Sequence, residues 1–265
     1  MRPPPFAPGA RAALVVAHPG HELRLFHWLH LARPVVSVLT DGSGAAGASR
    51  LGSTTRILDA AGARRGPLYG ATSDRRVYQA ILAGDEEFFR ARLEVLAESL
   101  AAEAIDDVVF DAAEGFNPVH DLCSLLAAAA ARLASARRGT PVRAWDFPLE
   151  GRPDACAPAL LPRAVTWRLG PPDLRRKLDA ISAYDELRDE AARALGQLGR
   201  EAFAVERVRP ATRGRLDPSP SGAPPDYESY GRARVDSGRY ATVIRYAEHV
   251  HPLVDAIDAL AASPV

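Results

Sequence analysis

Two histidines, His18 and His21, stand three residues apart directly after the apolar run at residues 12–17. The run is short, apolar and partly β-branched, which predicts a buried strand of a parallel sheet. Ligands of open α/β sheets bind beyond the carboxyl ends of the strands, and Pro19-Gly20 turns the chain sharply at that point. We therefore expect both imidazoles to face one pocket.

A third histidine could complete a metal site. A catalytic zinc site has three protein ligands and one open position. The best candidate for the third ligand is His120, which follows an apolar strand-like segment at residues 107–110 and the loop after it. Its predicted place near a helix N-terminus disfavours the imidazolium form and helps to keep the ring neutral. The residue types and spacing thus indicate a metal site of His18, His21 and His120.

Two motifs carry a resemblance to a known family. The motif Ala-His-Pro-Gly-His-Glu at residues 17–22 resembles the Ala-His-Pro-Asp-Asp-Glu motif of the LmbE/PIG-L family of zinc-dependent N-deacetylases, and it matches at four of six positions. Asn-Pro-Val-His-Asp at residues 117–121 resembles the second motif of that family, a histidine that opens a helix. The resemblance implies that His18 and His120 bind one zinc ion per chain, or another divalent metal. It also implies that His21 replaces the aspartate ligand of the family.

The resemblance names no general base, because Gly20 stands where the family has its catalytic aspartate. Glu22 and Asp41 are our first candidates for the base, ahead of Glu114 and Asp121. Glu22 is adjacent to a ligand, where a carboxylate acts either as a base or as a partner that orients an imidazole. Asp41 follows the second predicted strand at the rim of the same crevice. The candidates for contacts with a substrate are Asp74, Arg75, Asp111 and Glu114.

The order of predicted elements indicates an α/β fold. Apolar strand-like segments alternate with amphipathic helices, so we expect a single-domain, Rossmann-like three-layer sandwich over residues 1–265, with a mostly parallel sheet and helices on both faces. The periodicity predicts one long helix over residues 173–197. Residues 66–83 show no regular pattern. Residues 209–226 are rich in Pro, Gly, Ser and Arg, which predicts a flexible loop or lid.

The composition excludes several classes of partner. Lys plus Arg is 33 and Asp plus Glu is 33, so no net charge favours nucleic acid or an anionic membrane. No apolar run approaches the about 18 residues of a membrane helix, and the first apolar run is too short for a secretory signal. The two cysteines are too few for a disulfide framework. We therefore expect a cytoplasmic protein, and the sequence leaves a homo-oligomer open.

The resemblance implies a metal-dependent hydrolase. Such an enzyme would remove an acetyl or other acyl group from the amine of an N-acylated sugar or glycoconjugate, by attack of a metal-bound water. Two alternatives stay open because of Gly20. One is a different metal-dependent reaction on the same fold, and the other is a non-catalytic protein that binds a small molecule.

Overall fold

Seven strands form one sheet in the computed structural model, which describes residues 4–44, 47–211 and 223–262. The strands are β1 (Ala12–Val16), β2 (Val35–Val38), β3 (Arg64–Tyr69), β4 (Asp107–Asp111), β5 (Arg143–Phe147), β6 (Val165–Arg168) and β7 (Val205–Pro210). Their order is β3-β2-β1-β4-β5-β7-β6. The first five in this order are parallel, whereas β7 runs antiparallel to β5 and β6. The predicted mostly parallel sheet is confirmed.

Helices cover both faces of the sheet within the described ranges. They are α1 (Phe26–Ala32), α2 (Leu51–Ala61), α3 (Asp74–Leu82), α4 (Glu86–Ala102), α5 (Pro118–Arg138), α6 (Pro171–Ser182), α7 (Arg188–Leu198), α8 (Asp226–Asp236) and α9 (His251–Ala262). Helices α3, α4, α5 and α9 contribute to the core on one face. Helices α1 and α2 contribute to the core on the other face, and α6 and α7 pack beyond α1. The predicted three-layer sandwich is therefore confirmed.

Strand β1 is buried on both faces, which explains its uniform apolar sequence. Leu14 and Val16 pack toward α1 and α2, whereas Ala13 and Val15 pack toward α4 and α5. This is the alternation expected of a strand. Because β2 and β4 flank β1 in parallel, three strands end side by side at one edge of the sheet. The sequence after β1 is thereby placed at the centre of this edge.

Helix α5 combines a clear start with a long apolar body. Asn117 accepts a hydrogen bond from the amide of Val119, and Pro118 occupies the first turn. Among the described residues, α5 is the one helix that is long and apolar enough to cross a membrane. Most of it is buried against the sheet and neighbouring helices. Its apolar composition is therefore that of a core helix, and its rigid first turn fixes the position of His120.

Two expectations about elements are wrong, and one falls outside the described residues. The helix predicted over residues 173–197 is two helices, because the chain breaks after α6 and buries Tyr184 in the interior. Residues 66–83 are more regular than expected. Strand β3 is an edge strand with largely exposed side chains, so it carries no apolar pattern, and α3 follows it. The predicted loop or lid at 209–226 lies mostly outside the described residues, between Pro210 in β7 and Asp226 in α8.

Candidate metal site

Three histidine rings meet at the carboxyl edge of the sheet. His18 and His21 lie in the turn after β1, and His120 lies in the first turn of α5. The ring centroids are 5.4 Å apart for His18 and His21, 5.0 Å for His18 and His120, and 4.6 Å for His21 and His120. The rings are steeply inclined to one another, with interplanar angles of 65° to 88°. The structure thus brings together the three predicted ligands.

The imidazole of His18 is fixed through its Nδ1 atom. Nδ1 lies 2.8 Å from Oγ1 of Thr40 and 3.1 Å from Oδ1 of Asp74. The hydroxyl of Thr40 donates to the carbonyl oxygen of Ala17, so it accepts a hydrogen bond from His18. These bonds assign the ring proton to Nδ1 and leave the lone pair on Nε2.

The imidazole of His21 is fixed in the same way, by a different carboxylate. Its Nδ1 lies 2.8 Å from Oδ2 of Asp111, the last residue of β4. The same oxygen accepts a hydrogen bond of 2.7 Å from the amide of Ala17. Burial, followed by the charge of His18, holds the pKa of His21 well below its ordinary value. His21 is therefore a neutral ring whose Nε2 is free to act as a ligand.

His120 differs from the other two histidines. Neither of its ring nitrogens has a hydrogen-bond partner in the part of the chain that the structure describes. Burial, followed by the charges of His21 and His18, holds the pKa of His120 well below its ordinary value. Its backbone is nevertheless well placed, because it belongs to the capped first turn of α5. His120 is thus a neutral imidazole whose position depends on packing rather than on a polar partner.

The donor chemistry of this cluster fits zinc. Zinc accepts neutral imidazoles, and metal-binding histidines usually donate their second nitrogen to a carboxylate or another acceptor. Three imidazoles on one tetrahedral zinc ion would have centroids about 5 Å apart, which is the spacing seen here. No group of three or more His, Cys, Asp or Glu side chains in the described ranges could hold an ion as it stands. The backbone sets the spacing of the three rings, whereas a change of side-chain rotamer redirects a ring nitrogen.

Glycine is favoured at position 20 by the backbone, and a larger residue there would also displace a neighbouring side chain. Its φ angle is 104°, in the region that favours glycine. A Cβ atom added at Gly20 would lie 2.2 Å from Cδ1 of Leu187 and 3.6 Å from Cζ of Tyr184. Both of these residues belong to the break between α6 and α7. The space beside position 20 is therefore filled by the chain itself, and an aspartate there would meet this packing.

The two predicted catalytic carboxylates have different surroundings. Glu22 is fully buried, and its two oxygens accept hydrogen bonds of 2.7 Å from the amide of Gly20 and the hydroxyl of Thr54. Burial raises the pKa of Glu22 to about 7, although these hydrogen bonds lower it. Asp41 is partly exposed, and among the described residues its one hydrogen-bonded oxygen is Oδ1, which accepts from the amide of Ser43 at 2.9 Å. The catalytic roles of both residues stay predictions.

The four residues predicted to contact a substrate are spread over the site and its rim. Asp74 contacts His18 and accepts from the amide of Gly44 at 2.5 Å. Burial raises the pKa of Asp74, but its hydrogen bonds, led by that with His18, hold it below its ordinary value. Asp111 is fully buried beside His21, and burial raises its pKa to about 7. Arg75 is exposed. Its contact with a substrate, like those of the other three, stays a prediction.

Glu114 and Asp121 organise the loop between β4 and α5. Glu114 accepts hydrogen bonds of 2.9 Å and 3.0 Å from the amides of Leu149 and Glu150. Asp121 accepts from the amides of Glu114 and Gly115 at 3.0 Å and 3.1 Å. Burial raises the pKa of both carboxyl groups, that of Asp121 to about 7. These contacts hold the segment that leads to His120.

The sequence analysis missed Arg50, which precedes α2. The positive charge of Arg50 is one of the causes of the low pKa of His21. Its guanidinium has no hydrogen bond or ion pair to any described residue, and one of its Nη atoms approaches the Gly44 loop. Nothing in the sequence distinguishes Arg50, because Lys177 is the one lysine among 33 basic residues and arginine is abundant throughout.

The geometry defines an α/β protein with a cluster of three histidines at the carboxyl edge of its sheet. No protein-family model matches the chain, and no curated protein does. Among solved structures, a similar one is the crystal structure of the A40926 pseudoaglycone deacetylase Dbv21, at 18% identity and a TM-score of 0.46. The match covers 78% of this chain and 99% of that chain. A likeness this distant does not bear on the residues of the site.

Proposed function

We propose that the protein is a metal-dependent hydrolase that removes an acetyl or other acyl group from the amine of an N-acylated sugar or glycoconjugate. The observation that supports this proposal is the cluster of His18, His21 and His120. Three partly buried imidazoles lie at the spacing of a zinc site, and two of them are fixed through Nδ1. A cluster kept only for packing would not need both of these polar anchors.

The three histidines would hold the ion, and a divalent ion there would supply Lewis acidity and a more acidic water at neutral pH. Asp74 and Thr40 contact Nδ1 of His18, while Asp111 contacts Nδ1 of His21. The proposed ligands and their hydrogen-bond partners thus lie at or beyond the ends of several different strands, which end at the same edge of the sheet.

Of the two predicted bases, Asp41 has the carboxyl group with fewer hydrogen bonds to the described residues. It directly follows Thr40, which contacts His18, and its Oδ2 has no hydrogen bond to a described residue. Glu22 uses both oxygens to hold the turn that carries His21. A base must reach the proton that it removes. We therefore assign the proton transfer to Asp41 and the support of the turn to Glu22.

Arg50 would bind an oxygen of the substrate. A guanidinium has five N–H donors and is permanently charged, so one without a protein partner beside a pocket suits a carbonyl, hydroxyl or anionic group. Because Arg50 is close enough to lower the pKa of His21, its charge acts at the same pocket. The substitution Arg50→Gln should then weaken substrate binding more than it changes the zinc content.

The first experiment measures the metal content of the purified protein, before and after reconstitution with zinc. We expect about one ion per chain in the native protein and its loss in His21→Ala and His120→Ala, with the fold confirmed by circular dichroism. His30→Ala is the matched control, because His30 lies on α1, where its Nδ1 contacts the carbonyl oxygen of Phe26. A native protein that takes up no zinc after reconstitution would contradict the proposal.

The second measurement follows the release of acetate from simple N-acetylhexosamine derivatives. The native protein should release it, and the two histidine variants should not. Asp41→Asn should retain zinc and lose turnover, which separates a base from a ligand.

One observation favours a second candidate function, a metal-containing protein that binds a small molecule without turnover. The space beside Gly20, where the resembling family has its catalytic aspartate, is occupied by Leu187 and Tyr184. This candidate predicts a full complement of zinc and saturable binding of the N-acylated sugar, with no release of acetate from any acyl substrate.

A further inference from the structure

Asp111 is buried in a way that polar groups seldom are. It ends β4, its side chain is fully buried, and its Oδ1 has no hydrogen-bond partner among the described residues. A buried polar atom without a partner costs free energy, so such atoms are rare and call for an explanation. The contacts of the other oxygen, Oδ2, give a reason for a buried carboxyl group at this position.

Oδ2 of Asp111 makes two short contacts that join two strands. It accepts from the amide of Ala17, at the end of β1, and it lies 2.8 Å from Nδ1 of His21. An ionised carboxylate can only accept hydrogen bonds, so with Asp111 ionised the Nδ1 of His21 is the donor toward Oδ2. A carboxylate that receives the Nδ1 proton of a histidine fixes the tautomer and the orientation of that ring.

We propose that Asp111 is the positioning residue that makes His21 a metal ligand, by holding the ring proton on Nδ1 and leaving Nε2 free for the ion. The inference rests on the proposed metal site, and it assigns to Asp111 a role toward His21 rather than toward the substrate. In this role Asp111 acts through the ring of His21 rather than by direct contact with the ion.

A second aspartate of the same strand provides a matched control. Asp107 is also fully buried, but its oxygens accept from Arg143, from Nε1 of Trp145 and from the amide of Phe6. It lies at the opposite end of β4, where no histidine contacts it. Asp107→Asn thus changes the same residue type on the same strand without changing His21. Asp146→Asn on β5 is a second control, because Asp146 is largely buried and paired with Arg209.

The test uses the tautomer of His21 and the affinity for zinc, both measured on the full chain. Nitrogen-15 NMR of the metal-free protein should show His21 with a protonated Nδ1 and an unprotonated Nε2. In Asp111→Ala the proton should move toward Nε2, which is the preferred site in a free neutral imidazole. Zinc affinity should fall roughly 10- to 100-fold in Asp111→Ala and less in Asp111→Asn, which keeps an acceptor oxygen. Asp107→Asn and Asp146→Asn should match the native protein in both measurements.

A double-mutant cycle separates positioning from a general effect on the fold. His21→Ala no longer retains zinc on purification, so its weak residual affinity is measured by titration. In this background Asp111→Ala should leave the residual affinity unchanged, because the ring that it orients is gone. An unchanged zinc affinity in a folded Asp111→Ala variant, or a native His21 already protonated on Nε2, contradicts the inference. A native protein that binds no zinc contradicts the proposed function instead, and the NMR measurement still decides the role of Asp111.

Discussion

Asp107 and Asp111 stand at the two ends of β4, and both are completely buried, but only Asp107 has its hydrogen-bonding capacity filled. The oxygens of Asp107 accept four hydrogen bonds, from Nε and Nη2 of Arg143, Nε1 of Trp145 and the amide of Phe6. One oxygen of Asp111 has no partner, and the other joins Ala17 and His21. At the amino ends of the strands, which we call the amino edge of the sheet, the hydrogen bonds of Asp107 stabilise the fold. At the carboxyl edge, beside the three histidines, the unpartnered oxygen of Asp111 lowers the stability of the fold.

The comparison predicts the largest loss of stability at the amino edge. Asp107→Ala removes the acceptor of a buried ion pair and leaves Nε1 of Trp145 and the amide of Phe6 without a partner. Breaking such a pair costs about 3–5 kcal/mol, which urea unfolding should show. The zinc affinity of the protein that remains folded should not change.

The neighbouring Asp106 provides the control for this prediction. Its side chain is partly exposed and accepts a hydrogen bond from the amide of Arg11. Asp106→Ala should therefore cost about 1 kcal/mol or less. Equal losses of stability at positions 106 and 107 would remove the distinction between the two edges.

The second prediction concerns the turn at the carboxyl edge. Gly20→Ala places a Cβ in the left-handed region and against Leu187, so it should destabilise the fold by about 2–4 kcal/mol. Gly20→Asp should do so at least as strongly, and it should not restore the base of the resembling family.

Two further variants separate the effect of the backbone conformation from the effect of the contact with Leu187. Gly9 has a φ angle of 85° and open space around it, so Gly9→Ala reports the backbone cost alone. Leu187→Ala combined with Gly20→Ala should recover the part due to packing. If Gly20→Ala costs no more than Gly9→Ala, then Leu187 does not fill the space beside position 20.

The sequence predicted the positions of the histidines because each follows an apolar run, and the end of that run marks the end of a buried strand. β1 and β4 are central and buried on both faces, so their boundaries can be read from composition. β3 has no apolar run, because it lies at the edge of the sheet and its arginines are exposed, so its sequence does not predict a strand. The break at residues 183–187 depends on contacts of Tyr184 with Thr54 and of Leu187 near Gly20, which a periodicity analysis cannot register.

The roles of the carboxylates were harder to predict than their positions. Glu22, Asp74 and Asp111 all lie at or beside the histidine cluster. Whether each one orients a ring, supports a turn or faces the pocket depends on which oxygen accepts which hydrogen, and this follows only from the packing of distant strands. For the same reason Arg50 could not be distinguished from the other arginines.

The smallest expected effect concerns Asp111 in the metal-free protein. Asp111→Asn should change the free energy of unfolding by about 1 kcal/mol or less, because the amide keeps an acceptor for Ala17 and its NH2 group replaces an oxygen that already lacks a partner. With added zinc, the variants of Asp111 should be stabilised less than the native protein. An ion that binds the folded state stabilises it in proportion to the logarithm of its affinity, so the 10- to 100-fold weaker site of Asp111→Ala gives about 1.4–2.7 kcal/mol less stabilisation at saturating zinc, and Asp111→Asn loses less than this. Thermal or urea unfolding with and without zinc measures both quantities. A large loss of stability without zinc would instead make Asp111 a structural residue like Asp107.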